Sequence, residues 1–181
     1  TKDFLSLQFK ALLLYQKLIA FHLNDIKPDA LLDVDIERID FVNENGVQPD
    51  KKELYLRALN YIIKRYENIP AAAQASYLIA LQYENDATQY KPNGDTTHRF
   101  DRIKAKDLCE KIVAQRDSSE GKINCYNLLN QILQKELQFS IEKVNVPGQP
   151  LRALVQYRNF TNLYMRVIKM DEKLKSDLDN N

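Results

Sequence analysis

The feature that most constrains this fold is the spacing of the apolar residues, which recur at helical intervals along most of the chain. Between residues 4 and 23 they form one row of Phe4, Leu7, Ala11, Leu14, Leu18 and Phe21, and a second row of Leu5, Leu12 and Ile19. Residues at this spacing share one face of an α-helix. Two apolar rows on one helix are typical of a helix packed between neighbours, so we predict that the first helix is buried.

Five further segments carry a helical apolar stripe, and turn-forming residues separate them. The predicted helices run from Pro28 to about residue 45, and then over residues 51–66, 71–83, 100–115 and 120–137. A polar loop is predicted over residues 84–98. The chain has only 4 glycines in 181 residues, which also favours helix over an all-β fold.

The last two helix pairs resemble copies of one helical hairpin. Their alignment places Leu108 on Leu59, Ile112 on Ile63, Tyr126 on Tyr77 and Leu128 on Ile79. One hairpin cannot bury its apolar stripe alone, so copies stack into a solenoid. The segment around Tyr77 is similar to a tetratricopeptide-type repeat. We therefore predict a mainly α fold of antiparallel helical hairpins, like a tetratricopeptide α–α superhelix, with a non-repeat helical bundle as the alternative.

After Leu137 the apolar period changes to two, which indicates β structure. Phe139, Ile141 and Val144 predict one strand, residues 151–157 a second, and residues 163–170 a third. The turn-forming segments 147–150 and 159–162 separate them. We expect a helical domain over 1–137, a short antiparallel β segment over 138–170 and a polar tail over 171–181. Because so few strands do not make a stable β domain, we expect the β domain to continue beyond the last residue of this sequence.

The charge balance excludes some partners and the hydropathy excludes a membrane span. Lys and Arg total 26 against 25 Asp and Glu, a formal net charge of +1, so nothing favours nucleic acid. The most apolar run, residues 11–23, is interrupted by polar residues and is too short to cross a bilayer. The expected partners are proteins.

No catalytic, cofactor or metal site is predicted. His22 and His98 are the two histidines, and no carboxylate or Cys accompanies them at a metal-ligand spacing. Asp33, Glu37 and Asp40 share one helical face, which we interpret as a solvated face rather than an acid–base pair. Phosphate-binding and nucleophile motifs are missing, so the sequence does not predict an enzyme.

The two cysteines are the residues of most interest. Cys109 and Cys125 lie at similar distances on either side of the turn at residues 116–118, and each falls on the apolar stripe of its helix. In an antiparallel hairpin they should face one another. Two buried free thiols are one interpretation. The other is a disulfide, which would imply an oxidising compartment.

The C-terminal segments resemble the opening strands of a macroglobulin domain. They are residues 144–150 (VNVPGQP), 155–159 (VQYRN) and 163–169 (LYMRVIK). Residues 36–42 (IERIDFV) and 55–59 (YLRAL) are similar to the helical stretch that precedes such a domain in bacterial alpha-2-macroglobulin-like proteins. The resemblance touches most of the chain and is specific at its C-terminal end.

This resemblance implies a modular protease-trapping protein of the periplasm or cell envelope. Many members carry a Cys-x-x-Gln thioester, but here Ile112 and Leu128 stand three residues after Cys109 and Cys125. The resemblance therefore implies a non-reactive scaffold or interaction segment, whose partners are other domains of a longer chain or a protease. The alternative is a free-standing, tetratricopeptide-like adaptor that binds peptides.

Overall fold

The chain is mainly helical and ends in a short antiparallel β ribbon, which confirms the predicted fold class. The computed structural model describes residues 6–142, 148–150, 152–166, 168, 172 and 176. Its helices are α1 (Leu7–His22), α2 (Asp29–Asn45), α3 (Lys51–Arg65), α4 (Ala73–Ala87), α5 (Asp101–Val113) and α6 (Glu120–Leu133). A 3₁₀ turn, Pro70–Ala72, leads into α4, and the strands are β1 (Glu136–Ile141) and β2 (Ala153–Arg158). The chain divides into two compact units, residues 1–132 and 133–181.

The helical unit has two apolar clusters, and α4 contributes to both. The first cluster surrounds Leu59 and includes Ala75 and Ile79 of α4. The second joins α4 to α5 and α6 and includes Ala73 and Ala80 of α4. Small side chains on α4 allow its neighbours to approach on both sides. This helix is therefore the central element of the unit.

The prediction that α1 is buried is wrong. None of its residues is buried, although the helix is strongly apolar. It packs along one side on α2, where the Tyr15 and Phe41 rings lie 5.7 Å apart. Its outer row remains in solvent because, among the described residues, no second helix covers it. Periodicity identified the apolar rows, but it could not show how many neighbours they have.

The hairpin of α3 and α4 matches the hairpin of α5 and α6. On the first helix of each hairpin, however, the observed register differs by one residue from the predicted alignment. The buried residues of α3 are Tyr55, Leu59 and Ile62, and those at matching positions of α5 are Ala105, Cys109 and Ile112. Cys109, and not Leu108, therefore takes the place of Leu59. On the second helix the predicted pairing of Leu128 with Ile79 agrees with their burial.

Two predicted helix boundaries are wrong. Helix α4 continues to Ala87, into the predicted polar loop, because the buried Asp86 side chain accepts hydrogen bonds from Lys52 and Gln82 and fixes the last turn. Helix α6 ends at Leu133 instead of residue 137. There the backbone turns into β1, whose Glu136 pairs with Arg158 of β2.

The second unit is built on an amphipathic β ribbon. Leu137 pairs with Tyr157, Phe139 with Val155 and Ile141 with Ala153, so these six side chains share one face. Asn159 follows β2 with a left-handed φ of 59°, and its amide donates to the Gln134 carbonyl oxygen at 2.9 Å.

The predicted third strand is absent over the described residues 163–166 and 168, which have no strand partner there. An alternating pattern indicates a strand only where a neighbouring strand is available for hydrogen bonding. Val144 and Leu151, also assigned to strands, lie outside the described residues, as do residues 4–5 of the first helix and most of the tail over 171–181.

Candidate functional site

The two thiols lie together in the core of the second hairpin. Cys109 of α5 and Cys125 of α6 are fully buried in the same apolar cluster and are free in the structure. They are hydrogen-bonded to each other, and this bond together with burial raises the pKa of the Cys125 thiol. The same bond lowers the pKa of the Cys109 thiol, but burial shields both sulfurs from solvent. The pair is therefore part of the core packing.

Both histidines contact a carboxylate, which corrects the sequence interpretation. His22 Nδ1 lies 2.7 Å from Asp25 Oδ2, and His98 Nδ1 lies 2.6 Å from Asp101 Oδ2. Each pair is separated by three residues along the chain. The His22 pair sits at the exposed end of α1, whereas the His98 pair belongs to a larger and more buried cluster.

That larger cluster joins the end of α4 to the start of α5. Asp86, His98 and Asp101 place one potential ligand atom each within 4.8 Å of one another, and both aspartates are buried. These residue types could hold a metal ion. Lysines already neutralise both carboxylates, however: Lys52 Nζ lies 2.6 Å from Asp86 and Lys104 Nζ lies 2.7 Å from Asp101. The arrangement is a charge-balanced network that ties three elements together.

The environment of Asp101 favours its ionised form. Burial alone would raise the pKa of this carboxyl, but hydrogen bonds from Lys104 and His98 more than offset the effect and hold the pKa below its usual value. A second tie runs beside it, where the Arg102 guanidinium binds Glu84 of α4 at 2.8 Å. The sequence did not reveal this cluster because Asp86 and His98 come from separate elements.

The acidic face of α2 is solvated at two of its three predicted positions. Asp33 and Glu37 are exposed, whereas Asp40 is half-buried and accepts a hydrogen bond of 2.7 Å from the Tyr55 hydroxyl. The Tyr55 ring is buried between α2 and α3. Burial and the bond to the Asp40 carboxylate together raise the pKa of Tyr55 well above its usual range.

A groove of about 370 Å³ runs between α2 and α3. Its lining combines apolar side chains with cationic and amide-bearing ones: Arg38, Ile39, Val42, Asn43, Gln48, Lys51, Leu54, Tyr55, Arg57, Ala58 and Tyr61. Of the acidic side chains that the structure describes, none lines it. The sequence predicted α2 and α3 but gave no sign that they leave a cleft between them, because each stripe was assigned to the core.

Among the described residues two apolar faces remain in solvent, one in each unit. On α1, Leu7, Leu14 and Phe21 are 78%, 58% and 75% exposed and lie seven residues apart on one side of the helix. On the ribbon, Leu137, Phe139, Ile141 and Tyr157 are exposed on one face. Exposed apolar surface of this kind is a candidate site of contact with a protein, a ligand or a membrane.

No known protein family matches this chain, and no curated protein or solved structure matches it either. Among the described residues, none of the helices has the length and apolar character needed to cross a membrane.

Proposed function

We propose that this chain is a non-catalytic scaffold and interaction segment of a larger alpha-2-macroglobulin-like protein that traps proteases in the cell envelope. The role is to hold neighbouring domains in place, and the chain itself carries out no chemistry. The resemblance of residues 144–150, 155–159 and 163–169 to the opening strands of a macroglobulin domain supplies the family. The exposed surfaces supply the physical argument.

The observation that carries the proposal is the outer face of α1. A helical stack that ends in water needs a terminal helix with a polar outer face. Here Leu7, Leu14 and Phe21 occupy that face, and none of them is buried. Such a helix is suited to packing against a further helix or domain. The side chains of Lys10 and Lys17 would remain solvated at the edges of that contact.

The β ribbon supports the same role. An isolated two-stranded ribbon is marginally stable in water, and three or more strands or a covering surface are needed to stabilise it. The apolar face that carries Phe139 and Tyr157 is exposed, while Gln138 and Gln156 lie on the opposite face. Further strands of a macroglobulin-type domain would cover the apolar face and extend the sheet.

Amide hydrogen exchange tests the scaffold role. The experiment compares this chain alone with the complete gene product and follows the amides of α1 and β1. We expect slower exchange of both elements in the complete protein, because the outer face of α1 and the ribbon are then covered. Helix α4, which is already central, serves as the internal control. Unchanged exchange in α1 and β1 would contradict the proposal.

A protease assay tests the absence of trapping by the chain alone. A panel of proteases is incubated with it, and hydrolysis of a large protein and of a small peptide is followed in parallel. We expect both rates to stay unchanged, because the buried Cys109 and Cys125 lack a glutamine three residues on and cannot form a thioester. Selective protection of the large substrate would mean that this segment traps proteases unaided.

The second candidate is a free-standing adaptor that binds peptides. The observation in its favour is the groove between α2 and α3, which has two tyrosines, an asparagine and two arginines in its lining. An adaptor and a scaffold differ in the hydrogen-exchange experiment, since an adaptor would show no added protection of α1 in the complete gene product.

A further inference from the structure

The groove between α2 and α3 carries positive charge that the protein itself does not neutralise. Of its three cationic lining residues, Arg38 is held by Asp35 at 2.6 Å. Lys51 and Arg57 have no ion-pair partner within the part of the chain that the structure describes. Because no described Asp or Glu lines the groove, a ligand would meet two uncompensated cations there.

The middle of the groove offers an apolar contact. Ile39 and Tyr55 are buried and form its floor, while Leu54 and Tyr61 stand at its edge, with the Tyr61 ring 62% exposed. An exposed tyrosine beside an apolar floor is a common anchor in protein recognition, because it adds contact area at a low cost in conformational entropy.

The groove also offers amide groups suited to a peptide backbone. The side chains of Asn43 and Gln48 line it, and neither makes a hydrogen bond to another described residue. An amide side chain can donate to a carbonyl oxygen and accept from an N–H group, which are the two groups that an extended backbone presents. The volume of about 370 Å³ suits a few side chains and not a folded domain.

We infer that this groove binds an extended, acidic peptide segment in which carboxylates flank an apolar side chain. The carboxylates pair with Lys51 and Arg57, and the apolar side chain packs beside Tyr61. The inference rests on the protein-binding role proposed above and names the chemistry of one partner. Two uncompensated cations suit a short acidic peptide better than a nucleic acid, which needs many phosphate contacts.

Fluorescence anisotropy provides the test. The probe is a fluorescein-labelled peptide in which glutamates flank a single leucine. Two comparison peptides carry lysines in place of the glutamates, or a serine in place of the leucine. The binding variant is Lys51→Glu with Arg57→Glu, and its matched control is Lys10→Glu with Lys17→Glu on α1, which changes the net charge equally.

We expect the first probe to bind the unaltered chain and both comparison peptides to bind more weakly. The groove variant should lose at least about tenfold in affinity, whereas the α1 variant should bind as the unaltered chain does. The neutral double variant Lys51→Gln with Arg57→Gln should show an intermediate loss of affinity. It takes the place of the charge-reversed variant if circular dichroism shows that the charge-reversed chain is unfolded. Tyr61→Ser should weaken binding without affecting the core.

Three results would overturn the inference: no binding of the acidic probe, equal losses in the groove and α1 variants, or tighter binding of a short RNA than of the peptide. None of them bears on the scaffold role, because the outer face of α1 and the ribbon do not line the groove. A chain that fails here could still show slower exchange of α1 in the complete gene product, so the two proposals fail separately.

Discussion

Gly121, near the start of α6, lies directly against the backbone of Gln74 at the start of α4. A Cβ atom at this position would overlap the Gln74 nitrogen and the Ala73 carbonyl carbon, which are backbone atoms that cannot turn aside. One turn further along α6, the Asn124 amide donates to the Gln74 side chain at 3.0 Å. The close approach of α6 to α4 therefore depends on glycine.

Gly121→Ala should destabilise the helical unit by about 2 kcal/mol or more, even though alanine is the better helix former. The helices must separate to admit the methyl group, and the packing around Leu128 is lost with them. Urea unfolding followed by circular dichroism measures the loss. Gly94→Ala is the matched control, since the nearest atom to its Cβ would be a Lys91 side-chain carbon at an ordinary 3.4 Å. Equal stability of the two variants would contradict the prediction.

Tyr55→Phe should make the chain more resistant to alkali. The pKa of Tyr55 is raised in the folded state. Its contribution to the free energy of unfolding is therefore fully present below the unfolded-state pKa of about 10 and is lost as the pH rises above that value. At neutral pH the variant should lose about 0.5–1.5 kcal/mol with the bond to Asp40. Urea midpoints at neutral pH and above about pH 10 should show that the stability difference between the variant and the unaltered chain narrows or reverses. A stability difference that stays constant with pH would contradict the prediction.

Asp101→Asn should weaken the tie between α4 and α5 at neutral pH, by about 1.5–3 kcal/mol, because the carboxylate is buried and accepts hydrogen bonds from charged donors. The folded-state pKa of Asp101 is lowered, so its stabilisation is present above the unfolded value of about 3.9 and is lost as the pH falls below it. The difference in the free energy of unfolding between the two chains should therefore shrink as the pH falls below that value in urea titrations. Asp107→Asn, at an exposed site on the same helix, should have little effect at either pH.

Much of the helical unit was predictable because the buried face of a helix is visible in the spacing of its apolar residues. Leu59 and Ile62 lie three residues apart in the predicted helix over residues 51–66, and both are buried. What the sequence could not give is the number of neighbours around each helix, so α1 was predicted to be buried although one side is exposed. It also could not place Asp86 beside His98, since that contact depends on how the chain returns from α4 to α5.

The thiols should be inert until the chain unfolds. Cys109 and Cys125 are fully buried, so an aromatic disulfide reagent such as DTNB should release no chromophore from the folded chain at about pH 8. In concentrated guanidinium chloride both thiols should react. Reaction of the folded chain would show that the hairpin opens readily. No reaction after unfolding would mean that the pair is oxidised to a disulfide, the alternative that the sequence left open.

The order in which the helices pack has a consequence for how the protein is made. Helix α1 contacts α2, α2 contacts α3, α3 contacts α4, and α4 contacts α5, so most partners are neighbours along the chain. Contacts between close neighbours form quickly, because little chain must be closed into a loop to make them. As each helix leaves the ribosome, the surface it packs on is already present. Synthesis can therefore build the stack hairpin by hairpin, and the outer row of α1 is in place before the rest has formed.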